Sequence, residues 1–272
     1  MSVAAVLVAH NAETWLPATL ASIEGQSVAP DRVIVIDDQS TDGTAAIVRQ
    51  AGLDPLPSRS RATDTVTRIA QNFVQGVQAC GDCDVVILGD HDDVWLPDRV
   101  AHQVGLLADQ PTALMVASDG RLVDAAGQST GGTLRGTFPI PTAWKAWAAP
   151  ERMRFALKHS IATGGASALR PSAYPDLAVP NGWLHDRWWS LVATACAGML
   201  VDAECVIDYR VQDAQQVGLD VAAQGHGPVG RLAALLGQTR RSYGKQADLR
   251  GRLRPLAVDP QVAAVISLRN VL

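Results

Sequence analysis

The sequence predicts an α/β protein built on a mostly parallel central sheet flanked by helices. Short, β-branched apolar runs recur at Val3–Ala9, Arg32–Ile36 and Val85–Leu88, and segments with apolar residues at helical spacing separate them. Strands without a polar face need cover on both sides, which a parallel sheet between helical layers provides. A third observation concerns the strand ends. Arg32–Ile36 runs into Asp37-Asp38, and Val85–Leu88 runs into Asp90, Asp92 and Asp93. In a parallel sheet the C-terminal strand ends share one edge, and ligands bind in the crevice outside it.

Val3–Ala9 is the first strand. Trp15, Leu16, Leu20 and Ile23 then follow helical spacing, with Gly25 near the stop. The second strand, Arg32–Ile36, precedes Thr41-Asp42-Gly43-Thr44, which opens a helix through Ala45, Ile47 and Val48. A third helix spans about residues 65–79 and leads to the strand with the acidic end. Pro97 suits the first position of the next helix. Residues 113–118 read as a further strand. Residues 119–141, rich in Gly, Ser, Thr and Pro, read as turns and a surface loop, either a flap or an irregular hairpin. A helix carrying Trp144 and Trp147 follows. In the apolar segment 161–169, Gly164-Gly165 imply close approach of backbone or ligand. A helix from about Leu184 carries Asp186, Trp188 and Trp189, Cys205–Tyr209 is the last strand, and the pattern is helical from about Pro228.

A chain of 272 residues, 47% apolar and 18% charged, has the composition of an ordinary globular protein. A formal net charge of −4 gives no electrostatic case for a nucleic-acid partner. Arginines gather late (Arg231, Arg240, Arg241, Arg250, Arg252, Arg254). They form either a solvated helical face or a patch for peripheral contact with an anionic membrane surface. Cys80 and Cys83 have metal-ligand spacing, but Cys196 and Cys205 supply no second close pair, so buried thiols and a reducing cytoplasm are expected. The N-terminal apolar run is too short for a signal or a membrane span.

Carboxylates gathered at one strand end repel one another unless something positive sits among them. A divalent cation with the phosphates it neutralises fits such a cluster; the plain alternative is a solvated acidic turn before a helix. A second acidic strand end can accept hydrogen bonds from a base or ribose. Together they outline a nucleotide site that has neither GxGxxG nor GxxxxGK[ST] after an N-terminal strand.

Five ordered motifs carry a family resemblance: VAHNAETWLPATLASIEGQS, VIVIDDQSTDGT, QNFVQG, GDHDDVWLPDRV, and the later HDRWW with Tyr209-Arg210 followed after six residues by Val217-Gly218. Over about residues 3–218 the chain resembles the family-2 inverting glycosyltransferases, and within them the bacterial rhamnosyltransferase-like branch. The resemblance implies the GT-A fold: a Rossmann-like sheet in a glycosyltransferase domain over residues 1–222, with a nucleotide-sugar half (1–118) and an acceptor half (119–222). A helical C-terminal extension over 223–272 would follow.

By the same resemblance, Ala9, His10, Asn11 and Glu13 lie in the loop lining the nucleotide pocket, Asp38 contacts the base, and Arg68 is a basic residue near the nucleotide. Asp90 and Asp92 match the outer residues of the DxD motif, with Asp92 as the direct metal contact (Mn2+ or Mg2+). Asp93 extends that cluster and Trp95 packs beneath it. Asp186 matches the general base. Gly164, Gly165, Trp183, His185 and Trp188 join Asp93 and Trp95 in an expected sugar or acceptor pocket, where tryptophans form an apolar wall or else serve as helix core.

The implied partners are a nucleoside-diphosphate sugar, dTDP-rhamnose-like or a UDP-sugar, and a saccharide or lipid-linked glycan acceptor of bacterial polysaccharide assembly. Two departures stand out: His10 replaces the usual Tyr, and Gln212 stands where the family has a metal-approaching His. Gln212 supports a rival reading, a nucleotide-sugar-binding module without turnover. A second rival is an HD-type metal phosphohydrolase, suggested by His91-Asp92 and His185-Asp186.

Overall fold

The computed structural model describes residues 1–211 and 245–266. Gln212 therefore lies outside the described residues, as do Arg231, Arg240 and Arg241. The strands are β1 (Val3–Ala9), β2 (Arg32–Asp37), β3 (Leu56–Pro57), β4 (Val85–Asp90), β5 (Val94–Trp95), β6 (Met115–Val123), β7 (Ser129–Thr133), β8 (Ser167–Leu169) and β9 (Met199–Arg210). The helices are α1 (Leu16–Glu24), α2 (Thr44–Gln50), α3 (Thr65–Ala79), α4 (Arg99–Asp109), α5 (Leu134–Thr137), α6 (Ala149–Lys158) and α7 (His185–Ala195). A π-helical turn at Leu249–Leu253 and a short helix at Pro260–Val265 close the described chain.

The strands form one sheet in the order β3-β2-β1-β4-β8-β6-β9-β5, with β7 paired to β6. β3, β2, β1 and β4 run parallel, as do β6 and β9, whereas β8 lies antiparallel between β4 and β6. Alternation along β1 explains the buried strands. Ala4, Val6 and Val8 join one core with Phe73 of α3, Met153 of α6 and Trp188 of α7. Val3, Ala5, Leu7 and Ala9 join another with Leu16 and Leu20 of α1 and Val100 and Leu107 of α4. The mixed α/β class with helices on both faces is thus as the sequence predicts. α3 crosses β1 closely enough that a Cβ at Gly76 would overlap the Val6 side chain. Leu249, Leu253, Val262 and Val265 pack into the core shared by α6 and α7. Among the described residues no helix is long and apolar enough to cross a membrane.

Four segments differ from expectation. Residues 119–123 continue β6 instead of starting a loop, while β7 pairs back on it with a register shift, the irregular hairpin of the two expected alternatives. β9 begins at Met199, six residues before Cys205, because β6 offers it a long parallel partner. Gly164–Ala166 is a 3-10 turn, which leaves only Ser167–Leu169 as strand. Trp144 sits in a separate 3-10 turn, Thr142–Ala146, since α6 starts later with Pro150 in its first turn. Strand pairing sets the first two of these, and local periodicity carries no signal of it.

Candidate active site

Parallel register brings the two acidic strand ends together. Ala9 pairs with Asp37 and Val8 with Asp90, so Asp38 and Asp90 flank the end of β1. Beyond this edge lies a cavity of about 500 Å³ whose wall includes His10, Asn11, Asp38, Asp90, Asp92 and Asp186.

On the β2 side, Asp38 is buried. Its Oδ2 accepts from Arg68 Nε at 2.9 Å, while Oδ1 has no partner among the described residues. His10 Nδ1 donates to the Asp38 carbonyl at 2.7 Å, and the Asp38 N–H donates to the Ala9 carbonyl. Asn11 and Gln39 take left-handed backbone angles, φ 47° and 60°, and the Asn11 carboxamide accepts from the Thr41 N–H at 2.9 Å. Glu13 accepts from the Gly43 N–H at 2.8 Å. Ala9, Glu13 and Arg68 therefore brace the loop and Asp38 from outside the wall, whereas His10, Asn11 and Asp38 form it.

At the end of β4, burial and then the charges of Asp92 and Asp186 push Asp90 up to about 7. Asp93 is raised well above the carboxylate range by burial and by Asp92 and Asp90. Its Oδ1 accepts from the Arg210 N–H at 3.1 Å. Beneath the cluster, buried Arg99 donates to the Leu88 carbonyl at 2.6 Å and lies 4.0 Å over the Trp95 ring. A Cβ at residue 165 would meet Asp93 Oδ2 at 2.5 Å and Asp90 Oδ2 at 2.9 Å, so a larger residue there would push those carboxylates aside. Asp93, Trp95 and Gly165 are thus supports behind the wall, which corrects their assignment to a sugar pocket.

Asp186, in the first turn of α7, lines the same cavity as Asp90 and Asp92, and its charge acts on Asp90. Its Oδ2 accepts from the Gly164 N–H at 2.9 Å and Oδ1 from the Arg187 N–H at 2.6 Å. Burial nevertheless raises it to about 6, with those two N–H groups pulling the other way. Gly164 and His185 also line the cavity.

Trp183 and Trp188 do not line it, which corrects the expected tryptophan wall. Their rings pack together at 5.3 Å, and Trp183 Nε1 donates to Asp248 at 3.0 Å. Trp188 follows Asp186 by two residues and so points about 200° away around the helix. Trp189 is fully buried, with Nε1 bound to the Leu177 carbonyl.

The wall also contains residues the sequence reading did not single out: Trp15, Tyr209, Arg135 and Phe138. Trp15 and Tyr209 stand inside the quoted motifs. Arg135 and Phe138 come from the irregular Gly-rich stretch, where no periodic signal marks them. Among the described residues no three His, Cys, Asp or Glu side chains converge as a self-sufficient metal site. His91 directly follows strand β4, where an HD phosphohydrolase has helices around its metal, and its Nδ1 donates to the Val8 carbonyl at 3.2 Å.

No curated protein is similar in sequence to the chain. Among solved structures, glucosyl-3-phosphoglycerate synthase from Mycobacterium tuberculosis is similar in fold. Its complex with Mn2+, UDP and glucosyl-3-phosphoglycerate superposes at TM-score 0.53 and 17% identity, over 88% of this chain and 77% of that one. The complex with Mn2+, UDP-glucose and glycerol 3-phosphate gives TM-score 0.52 and 18% identity, over 88% and 77%. The Mg2+ and UDP complex gives 0.52 and 17%, over 88% and 76%. The model of the family described as glycosyl transferase family 2 matches residues 4–177, well over half of the chain, and the chain belongs to that family.

Proposed function

We propose that this protein is an inverting glycosyltransferase that moves a sugar from a nucleoside-diphosphate donor to a hydroxyl of a saccharide or lipid-linked glycan. The observation that carries the reading is one cavity holding Asp38, the Asp90–Asp92 pair and Asp186 together. Asp38 and His10 would hold the nucleotide base, with Asp38 Oδ1 left to accept from it. The donor set at the β4 end is all oxygen and strongly self-repelling, which fits a hard cation such as Mn2+ or Mg2+. Asp92, with Asp90 beside it, would hold that ion, and the donor's phosphates would complete its ligands. When bound, the ion supplies charge neutralisation of the departing diphosphate.

The chain's own residues do the rest. Asp186, held by the Gly164 and Arg187 N–H groups, takes the proton from the acceptor hydroxyl as its oxygen attacks the anomeric carbon. A value near 6 suits that role, since the carboxylate is ionised at neutral pH yet still basic. One displacement from the opposite face inverts the anomeric configuration. The Mycobacterium tuberculosis synthase, solved with Mn2+ and UDP-glucose, supports the donor and metal parts of this reading.

Within it, a dTDP-rhamnose-like donor follows from the motif resemblance and a UDP-sugar from the structural likeness. Bacterial polysaccharide assembly in the cytoplasm is the proposed setting. Exposed Arg250, Arg252 and Arg254 offer peripheral membrane contact. The test is thermal stability with UDP, dTDP and their sugars, with and without Mn2+, followed by nucleoside-diphosphate release with saccharide acceptors. Metal-dependent protection with acceptor-dependent release is expected. Protection without release across all acceptors would favour the binding-module reading, and release indifferent to acceptor would indicate hydrolysis.

A further inference from the structure

Tyr209 brings to the cavity wall a hydroxyl that the proposed chemistry does not use. The residue is 6% exposed, and among the described residues its hydroxyl has no hydrogen-bond partner. Native interiors leave few unpaired polar groups, and each calls for a cause. Unlike the sealed nitrogens of His185, this oxygen is open to the cavity. The ring that carries it belongs to the apolar cluster of Trp95, Leu134 and Ile207, so its place is fixed by packing.

The end of β9 ties Tyr209 to the acidic loop. Asp208 pairs with Val94, the Arg210 N–H donates to Asp93 Oδ1 at 3.1 Å, and Arg210 Nε donates to the Asp92 carbonyl at 3.0 Å. Burial, then the charges of Asp90, Asp93, Asp92 and Asp186 in that order, push the phenol well up. The hydroxyl therefore keeps its proton and has it to donate. Both the tie to the acidic loop and that order of charges set it on the side of the departing diphosphate.

We propose that the Tyr209 hydroxyl donates a hydrogen bond to a phosphate oxygen of the bound nucleoside diphosphate, a bond that tightens as the sugar leaves. The inference rests on the glycosyl-transfer reading and adds a catalytic residue to it. In the displacement the bond from the anomeric carbon to the phosphate oxygen breaks, and its electron pair stays on the diphosphate. The acceptor oxygen forms the new bond and its proton passes to Asp186. Tyr209 gives up no proton; its O–H dipole meets the charge that builds.

Tyr209→Phe in the full chain removes one oxygen and keeps the ring. The free protein should melt within about two degrees of the parent, because no bond inside the protein is lost. With Mn2+ present, calorimetry should show affinity for UDP or dTDP reduced about tenfold, the worth of a hydrogen bond to a charged group. Turnover should fall by about 10²–10³ in kcat, with the donor KM changed less, as for a bond made mainly in the transition state. The acceptor KM should stay as it was.

Unchanged affinity for both nucleotides, or an unchanged kcat, would overturn the proposal. A raised acceptor KM with nucleotide affinity intact would move the contact to the acceptor and overturn it too. So would a clear drop in the melting temperature of the free variant, since the hydroxyl would then already be paired within the protein. Absence of transfer by the unaltered protein would instead count against glycosyl transfer. The nucleotide affinities then decide Tyr209 alone: a tenfold loss in the Phe variant supports the contact, and no loss, or no binding by the unaltered protein, overturns it.

Discussion

Replacing Asp186 by Asn separates proton removal from binding. The carboxyl rises from 3.8 to about 6 because burial outweighs two N–H donors. A folded value above the unfolded one means that this group's stabilisation is whole below pH 3.8 and is lost as pH rises through 6. At about pH 7.5 the loss has a ceiling of about 3 kcal/mol, and about 1–2 kcal/mol once solvent at the cavity mouth is allowed for. Asn removes that loss but turns its NH2 toward the Gly164 or Arg187 N–H, at a cost of about 1–3 kcal/mol. The terms nearly cancel, so the melting temperature should move by no more than about a few degrees. Transfer, by contrast, should fall by about 10²–10⁴ at saturating substrates, the usual worth of a general base. Donor affinity by calorimetry should stay within about threefold, since nothing in the donor's proposed grip changes. In the unaltered protein, kcat should rise about tenfold between pH 5 and 7.5, following ionisation of a group near 6. An Asn variant within tenfold of the parent, or a flat pH profile over that range, would remove Asp186 as the base.

Three further outcomes follow from the same geometry. Asp92→Asn should abolish the Mn2+-dependent part of nucleotide protection, which at one hundred times Kd amounts to about 2.7 kcal/mol; full retention would place the ion elsewhere. Gly165→Ala sets a methyl 2.5 Å from Asp93 Oδ2 and 2.9 Å from Asp90 Oδ2. It should weaken metal-dependent nucleotide binding at least about tenfold, as misplaced ligands do, and unchanged titrations would refute the role of this close approach. Trp188→Ala should cost about 3–5 kcal/mol in urea unfolding while leaving both KM values alone; a selective loss of sugar affinity would return Trp188 to the wall.

Strands β1, β2 and β4, helices α1 and α3, and the acidic strand ends were legible in the chain itself. Runs such as Val3–Ala9 and Val85–Leu88 carry their period and burial locally, and parallel register then obliges Asp38 and Asp90 to share an edge. Motif order added Asp186, which lines the same cavity as Asp38, Asp90 and Asp92. What tertiary structure decided was direction and partnership. Trp188 turns to the core because α7 lays that face against Trp183 and the packed interior, and Asp93 faces Arg210 and Gly165 because β9 passes behind the loop. Arg135 and Phe138 reach the cavity only once β6 and β7 pair, a long-range contact that leaves no period in the sequence. Which side chain lacks a partner, as His185 does, is likewise a property of the packed whole, because hydrogen bonds are made or missed in three dimensions.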